Sequence, residues 1–415
     1  MFSQLRHFSL ADGQQRRVLC ADVAIPRAGE TDYPEVTHVC VAQTNGGLGV
    51  LPWRAVQAVH WQARQLHITN LQESQEATQA FLTHHLLLGH DILDALLIDV
   101  PHRRVTRAND LWLAEIEGKL QLRAADMSVQ ALLRRLTRGW YHRVQWSALQ
   151  EWQTVVFCRG TPRAAAPGRS PQQRLRTLPP GDIAHLTAML PYLHAAELIT
   201  SLPDAQAADV LEAMLPERQL QVFEELAEGH ALRLLALMAP DTAADLVGRL
   251  TPASARGYLN RLPPVQGNRI IELLRYPETT VGGMMTNDIV LVPAHVTVGE
   301  ARDSLRQRLR EPDFVYFLYV VDTEESRQLR GVLTLRELLV AEDSRRIEEL
   351  MNPHLLVLHP LEEARAAAYR LINSHLVALP VVGHKGQLLG AVTVDAAVAY
   401  VAPQSWSSLA PRVFS

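Results

Sequence analysis

The sequence predicts a multidomain α+β chain: a β-rich amino-terminal region, an all-α helical solenoid and a duplicated α/β unit. Three observations carry this. Residues 18–158 hold short alternating apolar runs separated by turn residues. Prolines then recur at positions 179, 191, 203, 216, 240, 252 and 263, with short amphipathic segments between them. Beyond residue 284, two similar stretches follow one another.

The bounds are broad. A chain of 415 residues has room for several domains and a sizeable core. Its formal net charge of −4 calls for no nucleic-acid partner. Cys20, Cys40 and Cys158 are odd in number and form no C-x-x-C pair, so neither a disulfide framework nor a zinc site is indicated. The longest charge-free stretch, Val36 to Trp53, contains Gln43-Thr44-Asn45-Gly46-Gly47, which is turn chemistry rather than a membrane span. The first residues, MFSQLRHFSLADGQQ, lack the apolar core of a signal peptide. The expectation is a cytoplasmic protein with no membrane span.

Taken in order, VTHVCVAQ alternates, NGG signals a hairpin and LGVLPW resumes the strand. QLHITNL gives another short run, and residues 86–160 repeat the scheme, with turns at Pro101-His102 and Glu117-Gly118. A local match, Leu51-Pro-Trp-Arg-Ala-Val-Gln against Val144-Gln-Trp-Ser-Ala-Leu-Gln, suggests duplication into units 1–84 and 85–158. On LGHDILDALLIDV and RRVTRANDLWLAEIEGKLQL, both halves resemble PRC-barrel domains. That resemblance implies small β-barrels that dock a protein partner and carry no chemistry. His84-His85 with His90 and Asp91 suggests a metal site, but surface or turn histidines explain the same residues. Arg134 to Trp146 interleaves basic and aromatic residues, as a single-stranded nucleic-acid platform does; a helix end followed by a strand with core tryptophans is the plainer reading. Residues 159–177, with five arginines, three prolines and no acid, read as an extended linker.

The proline steps from 179 onward are 12, 12, 13, 24, 12 and 11, so one unit near Glu228-Gly229 lacks its proline. Proline suits the first helical turn, where its missing N–H is unpaired anyway. Asp204, Glu217 and Asp241 follow, at the positive end of the helix dipole. Val210, Leu211, Met214 and Leu215 share one face. Short helices that cannot bury their faces alone must stack, which predicts a solenoid over 178–280.

In the duplicated unit, Gly331 and Gly390 are 59 apart, and Val321 and Val382 are 61 apart. Each copy reads strand, helix, buried strand, turn, strand, helix, with helices expected over 300–310 and 361–372. The pair, over 281–345 and 346–403 with a tail over 404–415, is similar to tandem CBS (cystathionine β-synthase) domains. YPETTVGGMMT, FLYVVD, GVLTLRELLVAEDSRRIEELMNP and ALPVVG, together with GDIAHLTAMLP and MAPDTAADLVGRL upstream, resemble the cytosolic region of MgtE-type magnesium channels.

That resemblance implies two ligands. An adenine nucleotide falls to the first copy, at Tyr316, Phe317, Thr334, Arg336 and Glu337; the family's serine and aspartate have become Thr334 and Glu337. In the second copy Ala396 stands where the ribose carboxylate belongs. Mg²⁺, a hard ion that takes oxygen ligands and retains water, is implied at Asp241, Asp245 and Asp395, with Glu224, Glu225 and Glu228 nearby. Gly383, Ala396 and Ala399 replace family acids, so a weakened metal site is expected. A homodimer through the CBS helices is also implied. No P-loop, G-x-S-x-G elbow or Cys/His nucleophile occurs, so no enzyme is predicted. The expected function is a regulatory or scaffold protein that senses nucleotide or Mg²⁺. The alternative is an accessory component of magnesium transport that docks on a separate pore.

Overall fold

The computed structural model describes residues 1–6, 8–12, 17–27, 32–43, 47–136, 148–161, 173–308, 315 and 317–402. The chain divides into two compact units, 1–210 and 211–414.

In the first unit, strand Ser9–Ala11 lies between Arg17–Pro26, antiparallel with Leu10 opposite Val18, and Gln65–Ile68, parallel with Leu10 opposite Leu66. The sheet runs on through His38–Ala42, Leu48–Pro52 and Gln75–Glu76 on one side and Val56–His60 on the other. Strand Arg17–Pro26 serves two sets of partners because a bulge between Cys20 and Asp22 bends it. Two three-stranded sheets follow, one centred on Leu96–Asp99 and one on Lys119–Asp126. The β-rich content is as expected, but among the described residues these sheets close into no barrel. Val39, Cys40 and Val41 are buried consecutively rather than alternately, because both faces are covered: Val39 and Val41 join the main core, and Cys40 joins Ala24, Val50 and Leu87. The main core runs from Phe2 to Val155, through both β-rich halves.

One local strand–turn–strand pattern recurs in the β-rich region. Strand Leu48–Pro52, a 3-10 turn Trp53–Ala55 and strand Val56–His60 recur as Leu149–Glu151, Trp152–Thr154 and Val155–Phe157. In this recurrence Trp152 stands where Trp53 does; Trp146, matched to Trp53 in the sequence, lies outside the described residues. A second correspondence is buried. The Asp22 carboxylate accepts the N–H groups of Val23, Gly89 and His90, and the Asp110 carboxylate accepts those of Leu111 and Ser3. Arg134, 1% exposed, reaches Asp126 at 2.5 Å and Asp110 at 3.3 Å, so this member of the basic and aromatic run faces inward. Residues 137–146 of that run lie outside the described residues, as do 162–172 of the expected linker and the whole tail, 404–415. The described ends of the linker are tied down: Arg159 pairs with Asp91, Thr161 N–H donates to Glu197 at 2.9 Å, and Leu175 is fully buried in a short helix, Gln173–Arg176.

The periodic prolines mark helix starts. Pro216, Pro240 and Pro252 occupy the first turn as expected, Pro179, Pro191 and Pro263 stand one position earlier, at the cap, and Glu228–Leu237 is the helix without one. Helices Pro180–Ala188 and Tyr192–Ser201 belong to the first unit, and those from Pro216 to the second. Val210, Leu211 and Met214 are buried as expected. Leu215 is 54% exposed, because it caps the next helix instead of continuing the face.

In the CBS region, parallel strands Val290–Pro293 and Leu318–Val321 and antiparallel Leu329–Leu333 form the first sheet. Ala378–Val382 and Leu388–Thr393 form the second. Bulges at Val320/Val321 and at Val381/Val382 fall at matching places in the repeat. The helices are Val298–Arg308 and Ala364–Ser374. The glycine-rich junction packs on the second copy: Gly282 N–H donates to Pro360 O at 2.8 Å, and Thr286 exchanges two 2.9 Å bonds with Ala391. Gly390 permits this approach, since a Cβ there would stand 2.3 Å from Thr286 O.

Candidate functional site

In the first copy, strand Leu329–Leu333 passes into helix Leu335–Val340 through Thr334. The Thr334 hydroxyl oxygen accepts the Glu337 N–H at 3.2 Å, and Glu337 Oε2 accepts the Thr334 N–H and its hydroxyl, both at 2.8 Å. This is a reciprocal capping box. The longer arm of Glu337 turns back onto its own helix start. The Thr-x-x-Glu spacing carried that signal, and the sequence reading passed over it. Arg336, between them, is exposed and meets no acid among the described residues. Phe317 precedes Leu318, which pairs with Leu333, so Phe317 and Thr334 lie at the same end of the hairpin. Phe317 is half-buried against the cluster of Tyr319, Val321, Val382, Leu388 and Ala391. Tyr316 lies outside the described residues.

In the second copy, Thr393 caps helix Val394–Val401 and accepts the Ala396 N–H at 3.2 Å. Alanine at that position leaves the cap one-sided. Asp395 lies in the helix's first turn.

The acids of the helical region have unequal surroundings. Asp241, in the first turn of Pro240–Arg249, accepts the Thr286 hydroxyl at 3.0 Å. Asp245, one turn on, is exposed at the surface, yet the protein atoms nearby push its carboxyl up to about 6. Asp241 and Glu278 add like charge to that effect, and Arg249 opposes it. Glu278 was not among the residues expected from sequence. Of the other expected acids, Glu228 pairs with Arg261. Among the described residues, no three His, Cys, Asp or Glu side chains converge as a metal-holding group. Gly383, expected from the resemblance to replace an acid, lies under the Gln387 side chain; a Cβ there would meet Gln387 Cδ at 3.1 Å.

The amino-terminal histidines make no such group either. His85 stacks on Phe81 with centroids 4.1 Å apart, and His90 lies 3.0 Å from Asp91, which also holds Arg159. Cys20, Cys40 and Cys158 are free and buried; burial pushes the Cys40 thiol up to about 12 and the other two higher, away from nucleophilic reactivity. No helix among the described residues is long and apolar enough to cross a membrane.

Comparison with known proteins assigns the second half of the chain. The family model of the MgtE intracellular N domain matches residues 178–279, and that of the CBS domain matches 281–344 and 347–402. The magnesium transporter MgtE of Thermus thermophilus is 38% identical over 123 residues, 30% of this chain and 27% of that protein. Its namesake from Enterococcus faecalis is 33% identical over 130 residues, 31% of this chain and 28% of that protein. The chain thus matches little more than a quarter of the length of these relatives. The solved cytosolic domain of the Mg²⁺ channel MgtE in complex with ATP is similar over 55% of this chain and 92% of its own length, with 32% identity and a TM-score of 0.52.

Proposed function

We propose, from the premise that over residues 178–402 the chain belongs to the family of MgtE cytosolic domains, that it is a regulatory module binding an adenine nucleotide at its first CBS copy. The observation that carries this is the exposed, unpaired Arg336 in the Thr334–Glu337 turn, in a chain similar to a cytosolic domain solved with ATP. Arg336 is free to meet phosphate, Phe317 offers a face for the base, and the second Glu337 oxygen is free to accept a ribose hydroxyl. Calorimetry on the full chain with ATP, ADP and AMP tests this. Heat that disappears in Arg336→Ala supports the site, and no heat at millimolar nucleotide removes it.

Mg²⁺ is the second ligand of this reading. Asp245 carries a carboxyl raised by crowding and by Asp241 and Glu278, a charge conflict that a hydrated divalent ion relieves. The two matched families are regulatory rather than catalytic, and the reading needs no catalytic step. A homodimer belongs to the proposal as well. Exposed Leu339 and Val340 follow the capped turn, and Leu361 and Tyr369 lie on the second copy. Light scattering on the full chain and on Leu339→Asp checks this.

A second reading, an accessory component of magnesium transport docking on a separate pore, is favoured by the relatives, which are magnesium transporters. Its amino-terminal β-rich half is then the docking module for a protein partner. Co-sedimentation with membranes that contain or lack such a pore separates the two readings.

A further inference from the structure

Three aromatic rings meet on one face of the amino-terminal sheet. Strand Arg17–Pro26 lies between His38–Ala42 and His85–Leu87, with Ala24 opposite His38 and Pro26 opposite His85. His38 and His85 reach toward each other over this middle strand; their ring centroids stand 5.0 Å apart at an interplanar angle of 84°. Phe81, in helix Gln79–His84, touches both. It stacks on His85 at 4.1 Å and meets His38 edge-on at 4.9 Å, so it orients the two imidazoles.

Hydrogen bonds fix which nitrogen carries the proton in each ring. His85 Nδ1 lies 3.1 Å from Phe81 O, a carbonyl that only accepts, so the Nδ1–H donates. The Thr37 hydroxyl donates its one hydrogen to Ala24 O at 3.3 Å and therefore accepts from His38 Nδ1 at 3.0 Å. In the neutral ring each Nε2 is then the acceptor. Neither Nε2 meets a donor among the described residues, and neither is among the buried unpaired atoms, so both lone pairs reach solvent. Burial, with His85 and Arg54 adding to it, holds His38 below its ordinary value and keeps that ring neutral at neutral pH.

An imidazole whose Nδ1–H is bonded to oxygen and whose Nε2 is open is the form that ligates a metal, because the outer bond fixes both tautomer and ring orientation. The spacing agrees. Two imidazoles on one ion, at bonds of about 2.0–2.1 Å and right-angled to tetrahedral geometry, stand with centroids about 4.5–5.2 Å apart.

We propose that His38 and His85 bind a divalent transition-metal ion of the Zn²⁺ and Cu²⁺ class through their Nε2 atoms, with water completing its shell. Imidazole nitrogen selects such ions over the hard, oxygen-seeking Mg²⁺. The site lies in the first unit and differs in chemistry from the acids around Asp245 in the second. No third His, Cys, Asp or Glu joins the pair among the described residues, so binding is weaker than at a closed four-ligand site.

The test is calorimetry on the full chain, stripped of metal by a chelator, with Zn²⁺, Cu²⁺ and Mg²⁺ salts. Cu²⁺ is expected to bind more tightly than Zn²⁺, and excess Mg²⁺ to leave Zn²⁺ binding unchanged. His38→Ala and His85→Ala are each expected to weaken Zn²⁺ binding about tenfold or more, and Thr37→Val, which removes the oxygen behind His38, by about tenfold. The control is His60→Ala/His67→Ala. Those rings also touch, at 4.9 Å, but both are exposed and no bond fixes their Nδ1 among the described residues, so the double variant is expected to bind as before. In the unsubstituted chain, imidazole nitrogen NMR is expected to show Zn²⁺ moving the Nε2 signals of His38 and His85 while Nδ1 stays protonated, a readout that needs no variant to fold. The proposal is overturned if millimolar Zn²⁺ moves neither Nε2 signal. It is equally overturned if binding survives both His38→Ala and His85→Ala, or is lost in His60→Ala/His67→Ala instead.

Discussion

The two CBS copies share their strands, their bulges and a threonine at the passage from strand to helix, and they differ three residues later. Thr334 has Glu337 and closes a reciprocal cap; Thr393 has Ala396 and closes half of one. Beside the first threonine lies a free guanidinium, Arg336; beside the second lies Asp395. The first turn therefore holds a cation beside an acid, and the second holds an acid and no cation. The second copy also carries the junction, through Thr286 on Ala391, and Thr286 in turn donates to Asp241. The duplicated scaffold is thus divided chemically at these turns: one holds a cation and a closed cap, and the other holds an acid and half a cap.

The largest expected effect breaks or upholds that division. Arg336→Ala should weaken ATP binding by about tenfold or more, from the loss of a charged hydrogen bond of about 1.5–3 kcal/mol, and should matter less for AMP. Glu337→Ala should weaken both nucleotides alike, and Asp395→Ala should leave both unchanged. Calorimetry decides; the reverse pattern moves the site to the second copy.

Next in size is the cap. Thr334→Ala should speed amide exchange in the first turn of Leu335–Val340 by about fivefold, the equivalent of about 1 kcal/mol. Thr393→Ala should act less on Val394–Val401. Equal effects in the two helices would mean that the Glu337 contacts contribute nothing.

A third measurement addresses the acid side. The Asp245 carboxyl is raised from 3.8 to about 6, so between those pH values the folded state holds a proton that the unfolded chain has lost. Its contribution to stability is therefore fully present below pH 3.8 and is lost as the pH rises to about 6. Mg²⁺ should stabilise the chain more at pH 7 than at pH 5, and Asp245→Asn should raise the melting temperature at pH 7 while abolishing the Mg²⁺ effect. A Mg²⁺ effect that is independent of pH and of this substitution places the ion elsewhere.

The smallest expected change is constructive. Ala396→Glu should complete the second cap and slow exchange at the start of Val394–Val401 by about twofold, within the range of a single capping contact. No change there would show that the second turn lacks the geometry as well as the side chain.

Local chemistry was legible in the sequence wherever a residue acts within a few positions of itself. Proline with no N–H to lose marks the helix starts from Pro179 to Pro263, at the cap or in the first turn, and even the helix without a proline fell where the period placed it. The CBS duplication was equally plain, because matching glycines and strand ends recur at a fixed distance. The candidate site was legible in part: Thr334, Arg336 and Glu337 share one turn because they are neighbours in the chain. Tertiary structure alone decided what depends on distant partners. Among the described residues it left the amino-terminal sheets open, since closure depends on how strands far apart in sequence pair. It turned Arg134 inward onto Asp110 and Asp126, carboxylates that no local pattern couples to it. It crowded Asp245 and brought Glu278 to bear on it, and it set His38 against Phe81 and His85 from a separate strand. A dihedral preference or a cap is settled by sequence neighbours, whereas burial, field and contact are sums over atoms that only the folded chain brings together.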